Sequence, residues 1–155
     1  MSSDLSSSAP TPRRLYYHPD ALEKLYLPQV DSMSIVNLTV ERGVPILITS
    51  FQETDLQNEL AQRLGLGEIS REELEGVRLQ IHKDKARGKL IMTDCDWDGV
   101  MALTREYTQS AIYYHSWNMR ELMHLSTARL LGFDGFLTPE RRMKDLAELM
   151  GFQVL

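Results

Sequence analysis

The chain has 155 residues, 43% of them hydrophobic and 25% charged, with a formal net charge of −5. That size and balance predict one soluble globular domain and exclude a uniformly basic nucleic-acid coat, while leaving room for a local basic strip. The one cysteine, Cys95, excludes an internal disulfide and a cysteine-built zinc site, and fits a reducing, cytoplasmic setting. The opening MSSDLSSSAPTPRR is rich in Ser and Pro and has no apolar core, so it reads as a disordered tail over 1–13 rather than a secretory signal. No apolar run is long enough to span a membrane. The remainder, 14–155, reads as a single domain.

Leu15 to His18 is a short strand candidate, followed by a short helix over Ala21 to Tyr26. Asp31 to Arg42 reads as a helix by length, with Gly43 as its stop. Pro45-Ile46-Leu47-Ile48-Thr49 is a continuous apolar run, the pattern of a strand buried on both faces in a parallel sheet. Ser50 and Glu53 have capping-box spacing and start a helix that carries Leu56, Leu60 and Leu64 on one face. Ser70 and Glu73 repeat that spacing and start a helix running to about Arg87. Thr93 to about Ser110 and Met119 to Leu131 read as two further helices, the second stopping at Gly132. Gly135-Phe136-Leu137-Thr138 is a short strand, with Thr138 as N-cap and Pro139 at the first position of the last helix. Phe152 to Leu155 closes the chain as an edge strand.

Strands separated by helices, with no hairpin signal, predict parallel pairing and a layered α/β/α sheet. Ligands of such sheets bind beyond the carboxyl ends of the strands. Asp20 follows the first strand, Asp55 lies early in the helix after Ile46-Thr49, Glu121 lies near the start of the helix from Met119, and Glu140 follows the Gly135 strand. Each acid alone is accounted for by the helix dipole, at about 0.3–1 kcal/mol. Convergence of all four would need more, because two like charges ~5 Å apart repel by about 3 kcal/mol at an effective dielectric of 20. A proton or a divalent cation would offset that, and an oxygen-only donor set favours Mg²⁺ or Mn²⁺.

Three stretches, in order, resemble one family. RELMHLSTARLLGFDGFLTPERRMKDLAELMGFQVL is similar to the run R-x-x-D-A-L-H-L-A-T-A, F-x-T-x-D and a final helix of the PIN-domain ribonucleases, including VapC-type toxins. YYHPDALEKLYLP resembles their opening Y-L-D-T-S-A-L-V-K-L-Y, and ITSFQETDLQNELAQRLGLGEIS their segment T-S-x-x-x-x-E-L-x-x-A-L. The resemblance implies a three-layer α/β/α fold with a parallel central sheet. It implies a divalent-metal-dependent ribonuclease hydrolysing RNA phosphodiesters, with an antitoxin protein and a homodimer as possible assemblies. By position, Asp55 falls on the family Glu, Glu121 on the Asp before A-L-H, and Glu140 on the Asp after F-x-T. His18 falls on the first family Asp, with Asp20 two residues later. The implied site is therefore Asp20, Asp55, Glu121 and Glu140 as the catalytic acids, with His18 joining Asp55, Glu121 and Glu140 around Mg²⁺ or Mn²⁺. Every acidic position is altered, so the alternative is a degenerate PIN-like module that keeps the fold and lacks the chemistry.

Other features are weaker. Asp94, Asp96 and Asp98 with Gly99 imitate a calcium loop, but position twelve is Arg105 where a Glu is required. Lys83, Lys85, Arg87 and Lys89 suit a solvated helix end. Arg120, Arg141 and Arg142 flank the acids and are candidates for phosphate contact. His124 reads as a packed histidine at the core edge, and Tyr113 and Tyr114 as an aromatic loop near His115 and Trp117.

Overall fold

The computed structural model describes residues 11–27, 29, 32–110 and 117–155. Residues 1–10 of the expected tail and the aromatic loop at Tyr113-Tyr114 lie outside the described residues. The chain is a mixed α/β protein with parallel strands. In order, the elements are β1 (Leu15–Tyr17), α1 (Pro19–Tyr26), α2 (Met33–Arg42), β2 (Ile46–Ile48), α3 (Ser50–Gly65) and α4 (Arg71–Ala86). They continue with β3 (Leu90–Met92), α5 (Trp97–Gln109), α6 (Met119–Leu130), β4 (Gly135–Leu137), α7 (Arg141–Leu149) and β5 (Gln153–Val154). Among the described residues no helix is long and apolar enough to cross a membrane.

All three strand pairings are parallel: β1 with β4, β4 with β5, and β2 with β3. β1 also lies beside β2. The chain thus places β2 and β3 on one side of β1 and β4 and β5 on the other, and the order reverses between β1 and β4. In open parallel sheets a ligand crevice forms outside the carboxyl ends of the strands at such a reversal.

Alternation along the strands feeds two apolar clusters. Leu15, Tyr17, Ile46, Ile48, Leu90 and Leu137 join the buried faces of α1, α3 and α4. Tyr16 and Phe136 point the other way, into a cluster with Leu122 and Leu125 of α6 and Met143 and Leu146 of α7. Each fully buried side chain of this kind contributes about 1.5–3 kcal/mol.

Caps and stops follow the sequence with local shifts. The α3 capping box is Thr49 with Gln52, one residue earlier than Ser50 with Glu53; the Ser70–Glu73 box of α4 is as expected. Gly43 ends α2 with φ 59°, a left-handed conformation that glycine adopts without strain. The helix expected from Thr93 begins only at Trp97, and the residues before it include an unforeseen strand, β3. Asp96 caps α5 by accepting from the Gly99 amide at 3.0 Å. A Cβ on Gly99 would lie 2.5 Å from that carboxylate, so the glycine lets the cap close. Thr138 does not cap the last helix. Its hydroxyl accepts from the Glu140 amide at 3.2 Å, making a short turn over Pro139, and α7 starts at Arg141.

Gln52 joins the carboxyl ends of β1 and β2. Its fully buried amide accepts from the Thr49 amide at 2.8 Å and donates to the Tyr17 carbonyl at 2.8 Å. Gln52→Leu keeps the volume and orphans both main-chain groups, each at about 1–3 kcal/mol. Urea unfolding is expected to show a loss of about 3 kcal/mol; a loss under about 1 kcal/mol would show that the amide is not a staple.

Candidate functional site

The reversal point is built from the ends of β1 and β4. β1 delivers His18, which is buried and N-caps α1. Its Nδ1 lies 3.4 Å from both the amide and Oδ2 of Asp20. One nitrogen serves one of these at a time: bare, it accepts from the amide, and protonated, it donates to the carboxylate. Burial raises the Asp20 pKa, but the hydrogen bond and attraction from His18, with the Arg120 charge behind them, outweigh it, and the carboxyl lies below its ordinary value.

β4 delivers Pro139 and the exposed Glu140. With Asp20, Glu23, Glu59 and Arg63 they line a cleft of about 380 Å³. Arg63 is paired with Glu23 at 2.6 Å. Burial pushes the Glu23 carboxyl upward, with Arg63 opposing.

Asp55 projects from α3 and is nearly buried, at 7% exposure. Its Oδ2 accepts from Arg120 Nε at 2.6 Å and lies 2.6 Å from His124 Nε2. Arg120 also pairs with Glu59, Nη2 to Oε1 at 2.8 Å, close enough for charge attraction but not aligned as a hydrogen bond. Arg120 and His124 are four residues apart on α6, so they share the face that meets α3. Behind them, Tyr16 Oη lies 2.7 Å from His124 Nδ1, and Phe51 stacks on the imidazole at 4.3 Å.

The protons in this chain follow from the donor inventory. Burial, opposed by the bond to Asp55, lowers the His124 pKa to about 4, so the ring is neutral at pH 7. An ionised Asp55 only accepts, so His124 Nε2 carries the ring proton and Nδ1 accepts from the Tyr16 hydroxyl. For Asp55, burial is again outweighed, by hydrogen bonds from His124 and Arg120, and its carboxyl stays below the ordinary value. With His124 neutral, Arg120 supplies the positive charge that balances it.

Glu121 is turned into a different role. It completes the α6 capping box, its Oε2 accepting from the Asn118 amide at 3.4 Å, while Oε1 accepts from Asn118 Nδ2 at 3.2 Å and Oε2 lies 3.5 Å from Arg142 Nη2. The Arg142 guanidinium sits over Trp117 at 4.8 Å. The fold therefore brings Asp20 and Glu140 to one cleft, puts His18 against Asp20, ties Asp55 to Arg120 and His124, and ties Glu121 to its own helix start. Among the described residues no three His, Cys, Asp or Glu side chains are grouped to hold one metal ion. Of the residues outside the expected site, Arg120 and His124 matter most. Their spacing on α6 was a readable signal, while their common partner 65 and 69 residues away was not.

No protein-family model and no curated protein matches the chain at significant similarity.

The His124 pKa fixes a pH dependence. Between its ordinary 6.5 and about 4, the unfolded chain holds a proton that the folded one refuses. Stability thus rises with pH across that window: the contribution is complete above 6.5 and is lost towards 4, on the order of 3 kcal/mol. Asp55 and Asp20 add to the loss only below about 3.8. Urea unfolding across this window is expected to show the decline, and His124→Gln to flatten it. An equal slope in the variant would remove His124 as its source.

Proposed function

We propose that the chain is a three-layer, PIN-like domain that acts as a binding module, its central carboxylate, Asp55, balanced by the protein's own Arg120 instead of by a divalent metal. The observation that carries this reading is the Asp55 carboxylate, whose Oδ2 already holds Arg120 and His124 at 2.6 Å each. Mg²⁺ and Mn²⁺ prefer carboxylate oxygens in near-octahedral arrays. Here the central carboxylate is shared with a guanidinium, and Glu121 is engaged by Asn118 and Arg142. The His18 imidazole at the first position suits Mg²⁺ poorly. These residues do not fit the ion that the resemblance implies. The cleft itself sets Asp20, Glu23, Glu59 and Glu140 against Lys24 and Arg63, a balance that opposes an RNA phosphodiester. The parallel pairing, the reversal between β1 and β4 and the apolar clusters on both sides of the strands support the three-layer part of the proposal.

A second reading, the metal-dependent ribonuclease, is favoured by one observation: Asp20 and Glu140 meet in a cleft where a parallel sheet places its ligands. That reading requires Arg120 to leave Asp55 when an ion arrives.

One experiment separates the two. Single-stranded RNA is incubated with the full chain in Mg²⁺, Mn²⁺ or EDTA, beside Asp55→Asn. The module reading expects no cleavage above the EDTA control for either protein. Metal-dependent cleavage that falls by about a hundredfold or more in Asp55→Asn, the range of a lost electrostatic group at a reacting centre, would establish the nuclease instead.

A further inference from the structure

The opposite, amino-terminal ends of the strands carry a different kind of surface. The chain enters β1 through Arg13 and Arg14, whose amides donate to the two carboxylate oxygens of Asp134 at 2.9 and 2.7 Å. Asp134 therefore spends its oxygens on main chain and leaves both guanidinium groups. Arg42, in the last turn of α2, spends its guanidinium on main-chain carbonyls, Nη1 to Pro12 at 2.9 Å and Nη2 to Arg13 at 3.4 Å. The Arg14 guanidinium lies over the Phe133 ring at 4.9 Å. Among the described residues none of these three arginines is ion-paired to a carboxylate, and Arg42 is fixed in place by neutral acceptors.

The three arginines border a groove of about 280 Å³ whose other walls include Leu47, Ile91 and Phe133. Ile91 is 42% exposed. Among the described residues, three guanidinium charges against the Asp134 carboxylate leave an excess of positive charge beside an apolar floor. The whole chain is at −5, so this charge is local. A long polyanion would have to run onto acidic surface beyond the groove, whereas a short segment would not. Guanidinium groups bind carboxylates through paired, charge-assisted hydrogen bonds, and an arginine already fixed in place loses less entropy in doing so.

We propose that this groove docks a short segment of a partner protein in which an acidic residue stands next to a large apolar one. The carboxylate meets Arg13, Arg14 and Arg42, and the apolar side chain lies on Leu47, Ile91 and Phe133. The site is at the far end of the strands from Asp55, so it stands whichever reading of the acidic end holds.

The test is selection of a random peptide phage library on the whole chain, followed by fluorescence anisotropy of the selected peptide. The peptides expected are enriched in Asp or Glu beside Leu, Ile or Phe. Binding is expected to weaken at least about tenfold in Arg13→Gln/Arg14→Gln, with each removed guanidinium costing charge-assisted hydrogen bonds. Ile91→Glu, which puts a carboxylate on the floor, is expected to weaken it likewise, and thermal unfolding confirms that each variant is folded. Neutral or basic peptides, no enrichment, or unchanged affinity in the folded variants would overturn the proposal. So would displacement of the peptide by oligouridylate at lower concentration than by unlabelled peptide, which would make the groove a nucleic-acid site. A chain lacking residues 2–10 that binds more than about tenfold tighter would make the chain's own terminus the occupant and overturn it too.

Discussion

A single carboxylate oxygen, Asp55 Oδ2, ties together the end of the molecule where a parallel sheet keeps its ligands. It holds α3 to α6 through Arg120 and His124, and His124 passes the connection to β1 through Tyr16. The two partners are not equivalent. Arg120 is 40% exposed, so its charge is screened and its share lies towards the small values of surface pairs. His124 is fully buried, and its bonds on both ring nitrogens satisfy groups that would otherwise be orphaned in the core. The guanidinium sets the charge balance, and the imidazole sets the geometry.

That division explains why acidic residues at strand ends need not add up to a metal centre. A ring of unshared carboxylates repels itself and gains from a divalent ion. Here several of the acids have been given protein partners: Asp55 has Arg120 and His124, Glu59 has Arg120, Glu23 has Arg63, and Glu121 has its own helix start and Arg142, while Asp20 leans on His18 and Glu140 is exposed in the cleft. On the proposed reading the fold keeps its crevice and replaces the ion with side chains. The other end of the strands inverts the pattern: Arg42 is held by main-chain carbonyls, Arg14 lies over Phe133, and the Asp134 carboxylate is taken by main-chain amides, so positive charge is in excess there.

Much of this was legible in the amino-acid order, because it depends on local rules. The Pro45–Thr49 run gave a buried parallel strand, Gly43 and Gly132 ended helices in left-handed turns, and the Ser70–Glu73 box opened α4. Where two caps of equal quality adjoin, as at Thr49 and Ser50, local chemistry does not choose. The buried Gln52 amide, bonded to Tyr17 35 residues away, chose Thr49. β3 was invisible because three residues, two of them left exposed, carry no period that separates them from a helix approach. The positions of Asp20, Asp55, Glu121 and Glu140 at helix starts and strand ends were readable. Their partners were not, because Arg120 and Asp55 meet only after α3 and α6 have packed.

The most direct test of the account is nitrogen-resolved NMR of the His124 ring during a Mg²⁺ titration at neutral pH. The expected spectrum is a neutral imidazole with its proton on Nε2, unchanged as the ion is added, because Asp55 is already bound to Arg120 and His124. A ring whose signals move with Mg²⁺ would contradict the claim that Arg120 occupies the place of a metal at Asp55, and a ring that is charged or carries its proton on Nδ1 would contradict the bonding that holds Asp55 there.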